Sequence, residues 1–279
     1  MEATQELETG SFIRTPEPFA RPDAVKIVSW NINRGQQLNE VIEFLAQASA
    51  DLILLQETDL SARRTHGRNV AREIARALEL NYVFGCEFEE LSQGHNGVHA
   101  YHGHATLSRF PISNSRILRF HHQSRFWFPR WFIPRLRPFQ RRLGGRMVLV
   151  SHIKLPDHEL VLCNVHLESR GDDRLRCSQL KEMLNDVSQY GADVQVVVAG
   201  DFNADLRNEP AALALRSSGL SNLFASIASP PTTVPGRFKG SRAIDWILTK
   251  GPMIAFEPKL HHSVRASDHY PLSLTLRCM

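Results

Sequence analysis

Six stretches of the chain place a polar side chain where an apolar run gives out. Asn31 and Asn33 follow Val25–Trp30, Glu57 follows Leu52–Leu55, and His166 follows Leu160–Val165. Asp201 and Asn203 follow Val194–Ala199, Asp245 sits within the run around Ile244–Leu248, and Asp268 and His269 precede Leu272–Leu276. If these runs are strands, their ends hold the polar groups on rigid supports at the rim of a sheet, where several can converge. Taken singly, most have a plain reading. An Asn after a strand, or the Gly200–Asp201 pair, is ordinary turn chemistry, and a lone His is an ordinary structural residue. Asp245 resists that reading, because a carboxylate between Ile244 and Trp246 needs a charged or hydrogen-bonded partner. Six such signals in one chain point to a shared site.

The residue types suit a hard cation. Glu57, Asp268 and the amide oxygen of Asn31 are oxygen donors of the kind Mg²⁺ (or Mn²⁺) takes. The four cysteines form no C-x-x-C pair, so no zinc or redox motif competes. Phosphoester hydrolysis needs a Lewis acid on a phosphate oxygen, an oriented water, and donors facing the developing charge. This set offers a candidate for each role.

The elements that must carry these residues follow from hydrophobic period. Val25–Trp30 alternates as a strand does, and Leu52–Leu55 is a short apolar run suited to a strand buried on both faces. Val41, Ile42, Leu45 and Ala48 are in helical phase, as are Ile74, Ala77 and Leu78. Strands are expected at Tyr82–Phe84 and Ala105–Leu107. A hairpin is expected from Arg146–Ile153 and Leu160–Val165, turning at Pro156–Glu159. A helix is expected over Asp172–Ser188, with Ser169 and Asp172 as its start signal. Strands, helices and hairpins in this order indicate an α/β (α+β) domain with mixed sheets.

Composition bounds the rest. Hydrophobic residues make up 42% of 279, ample for a core. The formal charge of +4 is compatible with a polyanionic partner without demanding one. Residues 1–24 are acidic, then punctuated by Pro16, Pro18 and Pro22, and are expected to form a flexible tail ahead of one domain over 25–279. That start lacks the basic-then-apolar pattern of a secretory signal. With unpaired cysteines and no run long enough to span a membrane, the expectation is a cytoplasmic protein and a monomer.

The blocks SWNIN, LLQET, NVHLES, AGDFNA, AIDWIL and SDHYPL, in this order across about residues 25–277, resemble the endonuclease/exonuclease/phosphatase superfamily. The stretch HLESRGDDRLRCSQLKEML is most similar to its tyrosyl-DNA phosphodiesterase 2-like branch and related bacterial metal-dependent hydrolases. The resemblance implies a deoxyribonuclease I-like, four-layer α/β/β/α sandwich with the site at one end of the paired sheets. By motif match it makes Glu57 the main metal ligand, with Asn31 and Asp268 contributing directly or through water. It makes Asp201, helped by Asn203, the group that orients and deprotonates the attacking water. His269, held by Asp245, and His166 become phosphate donors, and Ser169 and Arg170 substrate contacts near a helix start. Asn33 stands where many nucleases of the group have Asp, which weakens a second metal position and leaves single-metal catalysis intact.

Substrate choice is read from three further segments. Residues 125–142 interleave six arginines with six aromatics and no acid. They suit nucleic acid, with Arg on phosphates and rings on bases, or an anionic membrane surface. An insert whose rings pack back on the sandwich fits equally. His95, His99, His102 and His104 are expected in a loop and the start of a strand, as a polar rim beside the site mouth, with zinc or nickel binding as the other reading. Thr232–Gly240 is expected to be another rim loop, with Arg237 and Lys239 facing phosphate or water. The leading expectation is a Mg²⁺-dependent phosphodiesterase acting on nucleic acid. The alternatives are a phospholipid or sphingomyelin phosphodiesterase, an inositol-phosphate phosphatase, and a non-catalytic binding module.

Overall fold

The computed structural model describes residues 6–14, 23–124, 126, 140–226, 231–237 and 242–278. In chain order the elements are β1 (Leu7–Ser11), β2 (Val25–Arg34), α1 (Leu38–Ala48), β3 (Leu52–Leu60), α2 (Val70–Leu78), β4 (Asn81–Glu90), β5 (Tyr101–Ser108), β6 (Ile112–Arg119) and β7 (Arg142–Gly144). They continue with β8 (Met147–Lys154), β9 (Glu159–His166), α3 (Asp173–Ser188), β10 (Gln195–Asp201), α4 (Ala211–Arg216), β11 (Ser221–Asn222), β12 (Asp245–Lys250), β13 (Met253–Leu260) and β14 (Leu272–Cys278). One sheet runs β1-β4-β5-β3-β2-β14-β13, with β7 also on β4, and the other runs β11-β12-β10-β9-β8-β6. Both are mixed: β2 and β3 are parallel in the first, β9 and β10 in the second, and the other pairs are antiparallel.

Helices cover the outer faces. Leu38, Val41, Leu45 and Ala48 of α1, with Val70, Ala71, Ile74 and Ala75 of α2, pack on Val28, Trp30, Ile53 and Leu55. The spacing is that of one helix face. Leu180, Met183 and Val187 of α3 join the second core, which continues between the sheets. The expected four-layer α/β/β/α sandwich is therefore present.

The layer between the sheets changes character along its length. Val25, Ile27, Leu52, Leu54, Leu160 and Leu162 fill one end with hydrocarbon. Two residues further along the same strand faces come Ser29, Gln56 and Asn164, all buried. Gln56 Nε2 donates to Asn164 Oδ1 (2.8 Å), and Asn164 Nδ2 donates to the carbonyls of Leu55 (3.0 Å) and Ala105 (2.9 Å). This amide bridge stitches sheet to sheet. Two residues beyond it lie Asn31, His166 and Asp201. The alternation that builds the apolar core thus delivers the polar strand ends to one place.

Two expectations need correction. Within the expected tail, Leu7–Ser11 is a strand paired antiparallel with β4, because the sheet edge offers its backbone groups a full set of partners. Ser169 does not cap α3; the cap is Asp172, whose carboxylate accepts from the Leu175 N–H at 3.0 Å. Two edge strands, β6 and β13, carry no clean apolar period and were not expected.

Candidate active site at the polar end of the sheets

Local backbone irregularities aim the side chains. The β2–β3 ladder slips between Asn31 and Arg34, and the β3–β5 ladder slips between Leu55 and Thr58. Such bulges redirect strand residues. Asn33 (φ 44°), Arg34 (φ 69°), Glu57 (φ 52°) and Asn203 (φ 50°) all sit in the left-handed region. Each position costs on the order of 1 kcal/mol or more for a residue other than glycine, and such strain gathers at functional sites. Gly200 (φ 146°) is required for a different reason. A Cβ there would stand 1.9 Å from the Val165 carbonyl oxygen, so only glycine lets β10 pass close to β9 beside Asp201.

Asn31 links the two halves. Its Nδ2 donates to Asp201 Oδ2 at 3.1 Å and lies 3.5 Å from Glu57 Oε1, while its Oδ1 accepts from the Asn33 N–H at 3.1 Å. Glu57 Oε2 is 3.5 Å from Arg34 Nη2. Burial would raise the Glu57 pKa, but surrounding positive charge, led by Arg34, holds it down to about 2. Glu57 is thus a partly exposed, ionised carboxylate whose oxygens, among the described residues, have only these long contacts. Asp268 is half-buried, and Ser267 Oγ, which donates to the Asn31 carbonyl at 2.7 Å, lies 3.2 Å from Asp268 Oδ1.

Asp201 is the hub. Its Oδ1 accepts from the Asn203 N–H at 2.8 Å, while its Oδ2 faces His166 Nε2 at 3.4 Å and His269 Nε2 at 3.7 Å. The β9–β10–β12 register sets His166, Asp201 and Asp245 side by side on one row. Asn203 Nδ2 is anchored on the Leu167 carbonyl at 3.0 Å. His269 Nδ1 lies 2.9 Å from Asp245 Oδ2, which also accepts from Thr232 Oγ1 at 2.5 Å. This supplies the partner that the buried Asp245 requires. Trp30 Nε1 donates to the His269 carbonyl at 2.8 Å, fixing that segment over β2.

Burial pushes the Asp201 carboxyl well above the ordinary carboxylate range against the pull of His269, and the nearby Asp245 charge adds to the rise. Burial works against the His269 charge, but Asp245 and Asp201 outweigh it and keep the imidazole protonated up to about 10. His166 is held neutral by burial and by the positive charge of Arg146. A carboxyl pushed toward neutrality beside a fixed imidazolium is an acid–base pair set apart by environment.

Other expected residues fall differently. Ser169 Oγ accepts from Arg146 Nη2 at 3.0 Å, so it serves a buried ion network. Arg170 is exposed and stacks its guanidinium 4.4 Å over the Phe126 ring. His102 and His104 are not rim residues: both are buried on β5, His102 against Asp59 at 2.9 Å. The segment from Thr232 is no simple rim either, since Thr232 and Thr233 are buried. Lys239 and most of the arginine–aromatic segment 125–142 lie outside the described residues. The sequence reading missed Arg34, Glu87 and Arg146, which border the cluster. Strand alternation in FGCEFEE was the available signal for Glu87.

Solved structures share this architecture. An endonuclease/exonuclease/phosphatase from Beutenbergia cavernae aligns with a TM-score of 0.67 at 17% identity, covering 92% of this chain and 72% of that one. A humanized D. rerio TDP2 aligns at 0.62 and 19%, covering 91% and 99%. A family protein from Bacteroides thetaiotaomicron aligns at 0.62 and 16%, covering 93% and 100%. No curated protein sequence matches. The model of the Endonuclease/Exonuclease/phosphatase family matches residues 28–269, a span that holds every residue of the cluster, and the chain belongs to that family.

Proposed function

We propose that the chain is a Mg²⁺-dependent (or Mn²⁺-dependent) phosphodiester hydrolase acting on nucleic acid. The observation that carries this reading is the convergence of Asn31, Glu57, His166, Asp201 and the Asp245–His269 pair at the polar end of the intersheet layer. The donors fit a hard cation: Glu57 is ionised, reachable and weakly engaged, Asp268 adds a second carboxylate, and Asn31 Oδ1 keeps one lone pair beyond its bond to Asn33. Bound there, the ion supplies Lewis-acid polarisation of a phosphate oxygen.

The chain's own residues do the rest. Asp201, aligned by Asn203 and Asn31, takes the proton of the attacking water. His269, kept charged by Asp245, donates from Nε2 to the phosphate as negative charge grows. Neutral His166 adds a donor on the other side of Asp201. Arg34 beside Glu57 is a fixed positive charge at the cluster's edge.

Nucleic acid is favoured over other phosphoesters by two features. A polar groove of about 520 Å³ runs past Asn203, lined by Arg242 and by the Arg176–Asp173 and Arg207–Asp205 ion pairs, whose guanidiniums a phosphate could recruit. Phe126, 53% exposed, lies under Arg170 close after the strand that carries His166, and a ring so placed suits base stacking. The free thiols Cys86, Cys163 and Cys177 fit a reducing, cytoplasmic setting. The test is a panel of single-stranded DNA, duplex DNA, RNA, 5′-tyrosyl DNA, sphingomyelin and inositol phosphates with Mg²⁺. Turnover of a nucleic acid is expected. Turnover of lipid alone would move the arginine–aromatic segment to a membrane role, and turnover of nothing by folded protein would leave a binding module.

A further inference from the structure

Behind the hydrolytic cluster, three strands bring together three side chains that lack full hydrogen bonding. Glu87 of β4, His104 of β5 and His166 of β9 are each 1% exposed or less. Their potential ligand atoms lie within 4.8 Å of one another. Each keeps a buried polar atom with no hydrogen-bond partner: Glu87 Oε2, His104 Nε2 and His166 Nδ1. An unsatisfied buried polar atom costs on the order of 1–3 kcal/mol. Three in one place call for a ligand.

The surrounding bonds present these groups as donors of lone pairs. His104 Nδ1 lies 3.2 Å from the Asn164 carbonyl, which only accepts, so Nδ1 carries a proton and Nε2 is the nitrogen left to face a ligand. A backbone carbonyl on the far nitrogen is how metal-binding imidazoles are commonly oriented. Nε2 faces Glu87 Oε1 at 3.7 Å, beyond hydrogen-bond distance. Arg146 Nη1 donates to Glu87 Oε1 at 2.9 Å and so fixes an ionised carboxylate with Oε2 to spare. The rings of His104 and His166 lie near-parallel with centroids 6.0 Å apart, so both nitrogen donors border the same space.

We propose that Glu87, His104 and His166 form a cation site of their own, separate from the Glu57 position, for a borderline divalent metal with Zn²⁺ foremost. Two imidazoles and one carboxylate are a zinc-type donor set, whereas Mg²⁺ prefers oxygen alone. Donors on tetrahedral zinc lie roughly 3.3 Å apart, so side-chain adjustments of roughly an ångström close the set. Three protein ligands leave a fourth position open. His166, also 3.4 Å from Asp201, joins this site to the hydrolytic cluster, and metal here fixes its ring orientation.

Chelator-stripped full-length protein is titrated with Zn²⁺ by calorimetry, as wild type, His104→Ala, Glu87→Gln and Glu57→Ala, with circular dichroism to check folding. Wild type and Glu57→Ala are expected to bind one equivalent, and the other two variants to bind at least about 100-fold more weakly. In wild type, ¹⁵N NMR of the imidazoles is expected to show two histidines shifting on one equivalent of Zn²⁺, which keeps the test valid if a variant fails to fold. Undiminished binding in His104→Ala, loss of binding in Glu57→Ala alone, or no stoichiometric uptake with unshifted imidazoles would overturn the site. None of these readouts depends on hydrolysis, so the outcome stands apart from that of the substrate panel.

Discussion

Asp201 holds a carboxylate where burial and the Asp245 charge disfavour ionisation, yet four donors are aimed at its two oxygens. A general base gains from this tension, because its proton affinity is raised while its position is fixed. Asp201→Asn keeps the shape and removes the base. It is expected to lower kcat by about 10³-fold or more while circular dichroism shows a folded protein. Near-wild-type turnover would take the role from Asp201. The pH profile follows from the two raised groups. The proposed mechanism requires Asp201 deprotonated and His269 protonated, so it predicts that kcat/KM rises as pH passes the elevated Asp201 value and falls as pH approaches about 10. Asp245 is the leading charge that raises His269. Asp245→Asn is therefore expected to move the alkaline limb to lower pH, toward neutral. An unmoved limb would assign it to another group.

Among the elements, the amide bridge between the sheets is the piece whose loss is easiest to measure. Asn164 satisfies the carbonyls of Leu55 and Ala105 at the last paired rung before the β3–β5 bulge. Asn164→Ala takes a donor from two buried carbonyls and one of its acceptors from Gln56 Nε2, which keeps the Leu54 carbonyl at 3.2 Å. The expected cost is about 3 kcal/mol, read as a Tm lower by roughly 6–12 °C in thermal denaturation. A loss under about 2 °C would show that the bridge contributes little.

This polar stretch also explains what the sequence made legible. The strand-end blocks stood out because each follows an apolar run in a contiguous segment, as at Val194–Asp201. Of β5 (Tyr101–Ser108) only Ala105–Leu107 stood out as a strand. Both of its faces are buried, but one of them is His102, His104, Thr106 and Ser108, so the polar residues of the first half hide the strand from hydropathy. The edge strands β6 and β13 stayed hidden because edge residues are half-exposed and carry no clear period. Arg34 and Arg146, whose roles come from neighbours far along the chain, leave no local signature.

On the scale of the whole molecule, two sheets of different strand order share one intersheet layer, apolar at one end and charged at the other. Stability and chemistry are thereby separated along the same strands. The family model spans this layer from β2 to His269, so the site is part of the sandwich's construction rather than an addition to a loop. The polar groove past Asn203 opens beside the same strand ends.

The most direct test of a single metal-centred site is steady-state hydrolysis of bis(p-nitrophenyl) phosphate as Mg²⁺ is added to chelator-treated wild type and Glu57→Ala. Saturable activation in wild type is expected, with Glu57→Ala needing at least about tenfold more Mg²⁺ or showing no activation. Turnover in wild type that ignores Mg²⁺, or identical titrations for the two proteins, would contradict the account.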